Sequence, residues 1–309
     1  MAVFYGGEDR DVEGILEGIR TGLAGGEARR LVYGRGGSYA GFDYVNIDYF
    51  KPVVLVSLYQ SCSSAWIDAL AGEIRRRLPG IEGIGVQTRQ GAKVDFKVVW
   101  GRLPQTLWAH EAGLRFRLDF ERGQNIGFFL DMRRVRAWVR EKAASKRVLN
   151  LFAYTCGFSL AALAGGARQV LNVDMSGPSL AIGRQNHLDN KLDLRAAGFL
   201  KHEIFRSTGK LKRMGQWGLV IVDPPTWQPG SFLAKRDYPR LLRRLPALLA
   251  PGGLVLACLN ATDLDSETLR NWCVKNMADT ELVERLGPPG EFCQLNEERG
   301  LKVMVFKRK

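Results

Sequence analysis

The sequence predicts an α/β fold in which a doubly wound, seven-stranded, mostly parallel sheet follows a smaller N-terminal α+β domain. Short apolar runs of strand type alternate with amphipathic helical segments through the second half of the chain. Two consecutive strands close the chain, near 281–286 and 301–307, and favour an antiparallel edge. Strand formers and glycine turns dominate residues 29–120, before that alternation begins. We place the domain boundary between residues 121 and 122, which gives domains 1–121 and 122–309.

The first domain contains an apolar strand at 51–60 and an amphipathic helix at 63–78 that begins at a serine cap. Residues 81–100 alternate as one or two strands do, and 108–120 has the pattern of a hairpin with Gly113 at its turn. In the second domain, helices are predicted near 133–144, 158–164, 178–188, 236–249 and 266–277. Its strands are predicted near 147–152, 169–173, 194–200, 218–222, 254–259, 281–286 and 301–307.

A strand–helix–strand unit at 147–174 is the segment around which the second domain is organised. Its second strand ends on Asp174, about 20 residues after the first turn, where a carboxylate is suited to binding ribose hydroxyls. The turn carries only Gly157, whereas the pyrophosphate of a dinucleotide needs the GxGxxG pattern. S-Adenosylmethionine (SAM) has no phosphate, so one glycine suffices. Its carboxylate can sit near the positive end of the following helix.

The charge balance favours a polyanionic partner. The 309 residues include 45 Lys+Arg and 32 Asp+Glu, a formal net charge of +13. Basic residues crowd two predicted helices, within 133–147 and 235–244, and both helices flank the motifs that carry chemistry. We interpret these two clusters as a rim that contacts phosphates, against the plainer interpretation of two solvated helix faces.

Several classes of protein are excluded by composition. The five cysteines form no CxxC pair, which indicates reduced thiols in a cytoplasmic protein. The three histidines have no metal-ligand spacing with them, so we predict no metal. No apolar run reaches the ~20 residues that span a bilayer, and the N-terminus lacks the pattern of a signal peptide, so we predict no membrane association.

The most specific motif is Asp223-Pro224-Pro225-Thr226-Trp227, directly after a buried strand. An exocyclic amine on a base is a poor nucleophile because its lone pair is delocalised into the ring. An acidic acceptor and a backbone carbonyl held by prolines can accept its N–H bonds and aim the lone pair at a sulfonium methyl. Trp227 can stack on the base, and positioning supplies most of the rate of the in-line transfer. A base inside a duplex has to be flipped out first.

From about residue 108 to the C-terminus the chain resembles class I SAM-dependent methyltransferases, in particular the group that modifies large-subunit ribosomal RNA. The resemblance rests on HEAGLRFRLDFERGQNIGFFLDMR, LNLFAYTCGFSLAALAGGA, NVDMS and VIVDPPTWQPGSF. Members that methylate guanine N2 carry a similar Asp-Pro-Pro-Thr-aromatic motif and an asparagine where Asn260 stands here. Members that methylate cytosine C5 carry a cysteine there. The chain departs from the family at Cys156, which replaces a glycine, and at Glu203, which replaces an aspartate.

The resemblance implies the role of each candidate site residue. The turn at 150–157 would hold the methionine part of SAM, and Asp174 would bind both ribose hydroxyls. Met175 would pack on adenine, Glu203 would accept a bond from the adenine amine, and Asp223 would face the reacting centre. The implied cofactor-binding residues are Gln124, Phe129, Asp131, Arg133, Asn150, Phe152, Ala153, Tyr154, Thr155, Gly157, Asp174, Met175, Glu203 and Asp223. The implied catalytic residues are Asp223, Pro224, Pro225, Thr226 and Trp227.

We therefore predict a methyltransferase that uses SAM to modify guanine N2 of 23S ribosomal RNA, as a monomer or homodimer. RNA docking falls to the small domain and the two basic helices. The nearest alternative is cytosine-C5 methylation with Cys258 as nucleophile, although a thiol within a strand favours a core role. The others are an N-methyltransferase for a protein or small molecule and a non-catalytic ribosome-assembly factor that binds RNA. An NAD-linked oxidoreductase fits least, because the glycine fingerprint is missing.

Overall fold

The computed structural model describes residues 11–16, 19, 26–91, 93–121, 123–228, 232–292 and 294–309. The chain forms two compact units. The first extends to Leu130 and includes Gly290–Leu295, and the second comprises Asp131–Pro289 and Asn296–Lys309.

The boundary between the units lies at 130/131, nine residues beyond the one predicted at 121/122. Residues after 122 pack on the preceding hairpin, since Asp119 N–H donates to the Ile126 carbonyl at 2.9 Å. The rings of Phe116 and Phe128 also lie 4.7 Å apart. Both contacts join segments that lie on either side of the predicted boundary. The prediction used only the change from strand-like to helix-like spacing along the chain, and this change carries no information about such contacts.

In the first unit the described elements are α1 (Glu13–Leu16), β1 (Arg29–Tyr33), β2 (Val45–Phe50), β3 (Val53–Leu58), α2 (Ser64–Arg77), β4 (Gly83–Gln90), β5 (Lys93–Gly101), β6 (Leu107–Glu111) and β7 (Leu114–Leu118). β1 to β5 form one sheet in chain order, parallel between β3 and β4 and antiparallel elsewhere. The parallel pair needs a crossover, and α2 supplies it. The predicted serine cap is confirmed, because the Ser63 hydroxyl oxygen accepts from Trp66 N–H at 3.1 Å.

In the second unit the strands are β8 (Arg147–Leu151), β9 (Gln169–Asp174), β10 (Ala197–Lys201), β11 (Trp217–Val222), β12 (Trp227–Gln228), β13 (Phe232–Leu233), β14 (Leu249–Asn260), β15 (Thr280–Leu286) and β16 (Leu301–Arg308). Seven of these described strands form one sheet in the order β10-β9-β8-β11-β14-β16-β15. The first five are mutually parallel, and β16 is antiparallel to both β14 and β15. The predicted mostly parallel sheet with an antiparallel edge is confirmed.

The helices of the second unit cover both faces of this sheet. They are α3 (Arg133–Lys142), α4 (Gly157–Ala164), α5 (Gly177–Asp189), α6 (Ile204–Arg213), α7 (Ala234–Leu242) and α8 (Ser266–Asn276). One apolar layer joins α3 and α4 to one face, and a second joins α6, α7 and α8 to the other. The sheet is therefore doubly wound, and the strand order reverses between β8 and β11. In such sheets the crevice for a ligand opens at the carboxyl ends of the strands on either side of that reversal.

Two helices differ from the sequence-based expectation. α6 was not predicted, although Glu203 caps it and Ile204, Ser207 and Leu211 form its buried stripe. The helix predicted at 236–249 ends earlier, at Leu242. A proline at position 246 has no N–H and disfavours helical backbone in the residue before it, so the helix cannot continue through this point.

Candidate active site

Polar groups collect at one edge of the seven-stranded sheet, as the sequence predicted. β8 and β11 are adjacent and parallel, so their carboxyl ends open on the same crevice. β9 ends on Asp174, and β14 ends on Asn260. The Asp-Pro-Pro motif begins at Asp223, immediately after β11.

The turn after β8 is strained. Phe152, Tyr154 and Cys156 have φ angles of 58°, 47° and 64°, in the left-handed region that glycine prefers. The single glycine, Gly157, is instead the first residue of α4 and is not among the residues with positive φ. The left-handed backbone of the turn therefore falls on three residues other than its one glycine. Left-handed backbone costs about 1–2 kcal/mol per non-glycine residue, and such strain clusters at ligand sites.

Asp174 holds this turn. Its Oδ2 accepts from Tyr154 N–H at 2.8 Å, and its Oδ1 accepts from Ser176 N–H at 2.7 Å. An ionised carboxylate has about four acceptor positions, so each oxygen can take one further donor, such as a ribose hydroxyl. Met175 is exposed directly after it, as a residue that covers a flat ring must be.

A buried chain of hydrogen bonds supports the turn from the α4–α5 side. Asn150 Nδ2 donates to Asn172 Oδ1 at 2.9 Å, and Asn172 Nδ2 donates to Ser159 Oγ at 3.0 Å. Ser159 Oγ lies 2.9 Å from His187 Nε2, and His187 Nδ1 lies 2.6 Å from the Gly183 carbonyl. A carbonyl only accepts, so Nδ1 carries the proton and Nε2 accepts from the serine. Burial lowers the pKa of His187 and keeps the ring in this neutral form. The Asn150 side chain is therefore committed to the interior.

The carboxyl group of Asp223 is only partly exposed, and it lies in a field of two other charges. Loss of hydration, and to a smaller extent the negative charge of Asp131, raise its pKa from the ordinary 3.8 to about 7. The buried guanidinium of Arg136 acts in the opposite direction. At neutral pH the carboxyl is poised between its two forms, which suits a group that exchanges a proton with a substrate.

Arg136 was not among the predicted site residues. It lies on α3 between Val135 and Trp138, which are buried with it. The sequence did contain a signal, which is a charged residue within the apolar stripe of a predicted helix. A buried arginine needs partners for its charge, whereas a solvated one does not.

The rest of the Asp-Pro-Pro motif ties two strand ends together. The Thr226 hydroxyl donates to the Asn260 carbonyl, and the Thr226 carbonyl accepts from Ala234 N–H at 3.0 Å. Pro224 is buried and Pro225 half-buried. Trp227 is 67% exposed, so its ring is open to a flat ligand.

Four of the predicted cofactor residues are divided between the two units. In the first, Gln124 Nε2 donates to the Gly91 carbonyl at 2.7 Å, and Phe129 is exposed. Asp131 and Arg133 belong to the second unit, near the start of α3. The cofactor role of all four stays a prediction.

Glu203 is the N-cap of α6. Its two carboxylate oxygens accept from the N–H groups of Phe205 and Arg206, both at 2.8 Å. Its predicted bond to an adenine amine would have to use the second acceptor position of one of these oxygens. That role also stays a prediction.

Cys258 is fully buried in β14. Burial raises the pKa of its thiol well above the ordinary value, and the negative charges of Asp223 and Asp131 add to this. The carbonyl of the same residue accepts from the hydroxyl of Tyr238 at 2.8 Å. A thiol in this setting stays protonated and packs as a small apolar group.

The sequence profile of the S-adenosylmethionine-dependent methyltransferases matches residues 29–307. The chain belongs to this family. The methyltransferase is 30% identical over 280 residues to ribosomal RNA large subunit methyltransferase I of Enterobacter sp. (strain 638), which covers 86% of this chain and 69% of the relative. The protein of the same name from Cronobacter sakazakii is 30% identical over 273 residues, with 84% and 68% covered.

Solved structures agree with this family. A putative SAM-dependent methyltransferase from Streptococcus mutans superposes with a TM-score of 0.81 at 28% identity, over 91% of this methyltransferase and 74% of that chain. A putative methyltransferase complexed with SAH also gives 0.81, at 27% identity, over 91% and 75%. No helix in the described part of the methyltransferase is long and apolar enough to cross a membrane. Nor do the described residues contain a group of three or more His, Cys, Asp or Glu side chains that could hold a metal ion.

The residues of the crevice fit SAM, the cofactor of this family. Asp174 offers acceptors for two hydroxyl groups, and α4 begins without a side-chain cap from Cys156, so the N–H groups of its first turn can face a carboxylate. When bound, SAM supplies a methyl group on a positively charged sulfonium. In its ionised form, Asp223 would provide the negative charge that such a centre favours. The individual contacts stay predictions.

Proposed function

We propose that this methyltransferase acts on 23S ribosomal RNA and methylates the exocyclic N2 amine of a guanine. The relatives named above are ribosomal RNA large subunit methyltransferases, which supports RNA as the substrate class. The observation that carries the choice of an amine is the environment of Asp223, a carboxyl group with a pKa of about 7 at the start of the Asp-Pro-Pro motif. Oxygen acceptors, rather than a thiolate, are what an amine nucleophile requires.

In the proposed reaction Asp223 accepts a hydrogen bond from one amine N–H. A backbone carbonyl held by Pro224 and Pro225 accepts the other. These two bonds turn the nitrogen lone pair out of conjugation and toward the methyl group. SAM, when bound, would supply the methyl group, and the nitrogen would displace it from sulfur, which would keep the electron pair of the broken carbon–sulfur bond. Asp223 then takes the proton that the methylated nitrogen releases, because its pKa near neutrality lets it accept and later return a proton. Trp227 stacks on the base and fixes its plane.

Cytosine-C5 methylation is the weaker alternative. It requires a thiolate that can add to the base, and the thiol of Cys258 is buried with a raised pKa. At the end of β14 the exposed residue is Asn260, which cannot act as that nucleophile.

The test is mass spectrometry of ribosomal nucleosides from cells that lack the protein. We expect N2-methylguanosine to fall by one residue per large subunit, and wild-type protein or Cys258→Ala to restore it, whereas Asp223→Asn does not. Loss of 5-methylcytidine, restored by wild type but not by Cys258→Ala, would establish the alternative. Unchanged nucleosides in every RNA fraction would reject RNA as the substrate and leave a protein or small-molecule amine.

A further inference from the structure

The two basic clusters of the second unit differ in what their side chains do. In the cluster on and after α3, several of the basic side chains contact other groups of the protein. Arg136 is buried, and Lys146 Nζ donates to the Lys142 carbonyl at 2.6 Å. The guanidinium of Arg147 lies 4.4 Å above the ring of Trp217. These three side chains keep their charges but are held by contacts inside the protein, so they are not free to turn toward a polyanion.

The other cluster points outward. The α6–α7 basic surface consists of the exposed cations of these two helices, which are Arg206, Lys210, Lys212, Arg213, Lys235, Arg236, Arg240 and Arg243. α6 contains no acidic residue between its first and last positions. The only acid within α7 is Asp237, and its side chain is wholly buried. The surface therefore presents positive charge without exposed carboxylates from its own helices.

The charges form two rows. Arg206, Lys210 and Arg213 have the i, i+4, i+7 spacing that puts side chains on one face of a helix, and Arg236, Arg240 and Arg243 repeat it. Seven residues of helix rise about 10 Å, so each row is a line of three positive charges along one helix face. Such a line can contact successive phosphates of one strand.

The rows are fixed relative to each other by packing at the start of α6. Arg240 and Arg244 lie 4.8 and 5.0 Å above the ring of Phe205. Arg244 Nη1 also donates to Thr208 Oγ1 at 2.9 Å. The buried carboxylate of Asp237 forms ion pairs with Arg236 at 2.8 Å and with Arg240 at 2.7 Å. These two ion pairs fix the positions of the guanidinium groups in the α7 row.

Both rows begin at the edge that carries the candidate active site. α6 starts after β10, and α7 starts where Ala234 N–H donates to the Thr226 carbonyl at 3.0 Å. Trp227 is therefore the exposed aromatic side chain nearest in the chain to the start of the α7 row.

We propose that the α6–α7 basic surface binds the phosphate backbone of single-stranded RNA and leads it to Trp227, where the target base is stacked. This rests on the proposed function and names the surface through which that substrate docks. Ordered cations in rows with an aromatic ring at one end are the features that bind single strands. A membrane surface would instead favour apolar side chains among the cations, and both rows consist of Arg and Lys alone.

The experiment compares two triple variants of the full chain. Arg206→Gln/Lys210→Gln/Arg243→Gln removes three charges from the surface, and none of the three side chains takes part in a hydrogen bond or ion pair with the described residues. The control, Arg168→Gln/Arg184→Gln/Lys307→Gln, removes three exposed charges elsewhere in the same unit. The probe is a fluorescent 20-nucleotide single-stranded RNA titrated from 50 to 200 mM salt. SAM affinity by calorimetry reports whether each variant retains its cofactor site.

For single strands the logarithm of affinity falls with the logarithm of salt by about 0.7 per phosphate contact. We expect the surface triple to reduce this slope by about 2, with SAM affinity unchanged, and the control to keep the wild-type slope. Equal slopes in wild type and the surface triple would overturn the docking surface while RNA stays the substrate. Wild-type protein that binds SAM but no RNA would reject the proposed function itself. Vesicles containing phosphatidylserine that bind wild type but not the surface triple, with RNA binding equal in both, would assign the surface to membranes instead.

Discussion

Cys156 and Gly183 approach each other so closely that a methyl group on Gly183 would fall within 3.0 Å of the Cys156 sulfur. Cys156 caps α4 with left-handed backbone, at φ 64° and ψ 31°. This is the conformation that glycine adopts most readily. A cysteine there adds a side chain that has to be accommodated, and Gly183 on α5 leaves the space. The two positions are therefore coupled in packing.

Gly183→Ala is expected to lower the free energy of unfolding by about 1–3 kcal/mol, the usual cost of overpacking a full core. In a Cys156→Gly background most of this cost should disappear, because the nearest atom has gone. Urea unfolding of the four proteins measures the coupling between the two positions. Gly209→Ala on α6 is the matched control, since its new methyl group meets only the end of Arg213 at 3.7 Å. It should be neutral or stabilise by up to about 1 kcal/mol. Additive costs at 156 and 183 would contradict the coupling.

Asp223 leads us to expect a pH profile of methyl transfer with an acidic limb near 7. Only the carboxylate accepts both a hydrogen bond and a proton, and a pKa of about 7 means that activity rises with pH through neutrality and is half-maximal near pH 7. Arg136→Met removes a positive charge that lowers this pKa, so the limb should move to higher pH. Asp131→Asn removes a negative charge that raises it, so the limb should move to lower pH. The measurement is the midpoint of kcat/KM against pH, which separates these shifts from any change in affinity. A wild-type midpoint near 4, or two shifts of the same sign, would contradict this assignment.

Asp237 should stabilise the fold most above pH 4. Its hydrogen bond with Arg236, with support from Leu233 N–H and Arg240, lowers its pKa from 3.8 to about 2. Because the pKa is lower in the folded state, this stabilisation is present above the unfolded value and is lost as pH falls from about 4 to about 2. Two pKa units correspond to about 2.7 kcal/mol. Solvent around the exposed guanidinium groups of Arg236 and Arg240 screens the interaction and reduces this to about 2 kcal/mol. Asp237→Asn keeps an acceptor for Leu233 N–H and removes the charge. Urea unfolding should show the variant about 2 kcal/mol less stable at pH 7, with roughly half that difference near pH 3. A constant difference across this range would show that the charge is not its source.

Much of this fold was predictable because its signals are local. The strands of the large sheet are apolar runs bounded by turn residues, and the residues that follow them are polar. The succession of strands along the chain and the edge that carries the polar residues therefore follow from the sequence. Asp174 and Asp223 were found in this way, as strand-end carboxylates. α6 was missed because Arg206, Lys210, Lys212 and Arg213 obscure the three buried residues of its stripe.

What the sequence could not provide depends on contacts between distant segments. The strain in the turn after β8 falls on Phe152, Tyr154 and Cys156, residues that carry no glycine signal, and it is held by a carboxylate one strand away. Likewise the pKa of Asp223 depends on charges from the segment at the start of α3. Such effects require three-dimensional proximity, which no spacing in the chain encodes.

Removal of the Trp227 ring is expected to weaken activity on RNA and to leave fold stability and SAM affinity unchanged. Its side chain is 67% exposed, so its removal takes away little packing and the melting temperature of Trp227→Ala should stay within about 1 °C of wild type. Stacking of a base on an aromatic side chain contributes about 1–3 kcal/mol, which predicts a loss of about tenfold to hundredfold in kcat/KM for ribosomal RNA. Trp227→Phe keeps a flat ring and should recover most of this loss. Calorimetry should give equal SAM affinity for all three proteins. A weaker affinity for SAM in Trp227→Ala, or an undiminished rate with RNA, would show that the ring of Trp227 does not stack on the base. Positioning of the base would then depend on the Asp-Pro-Pro motif alone.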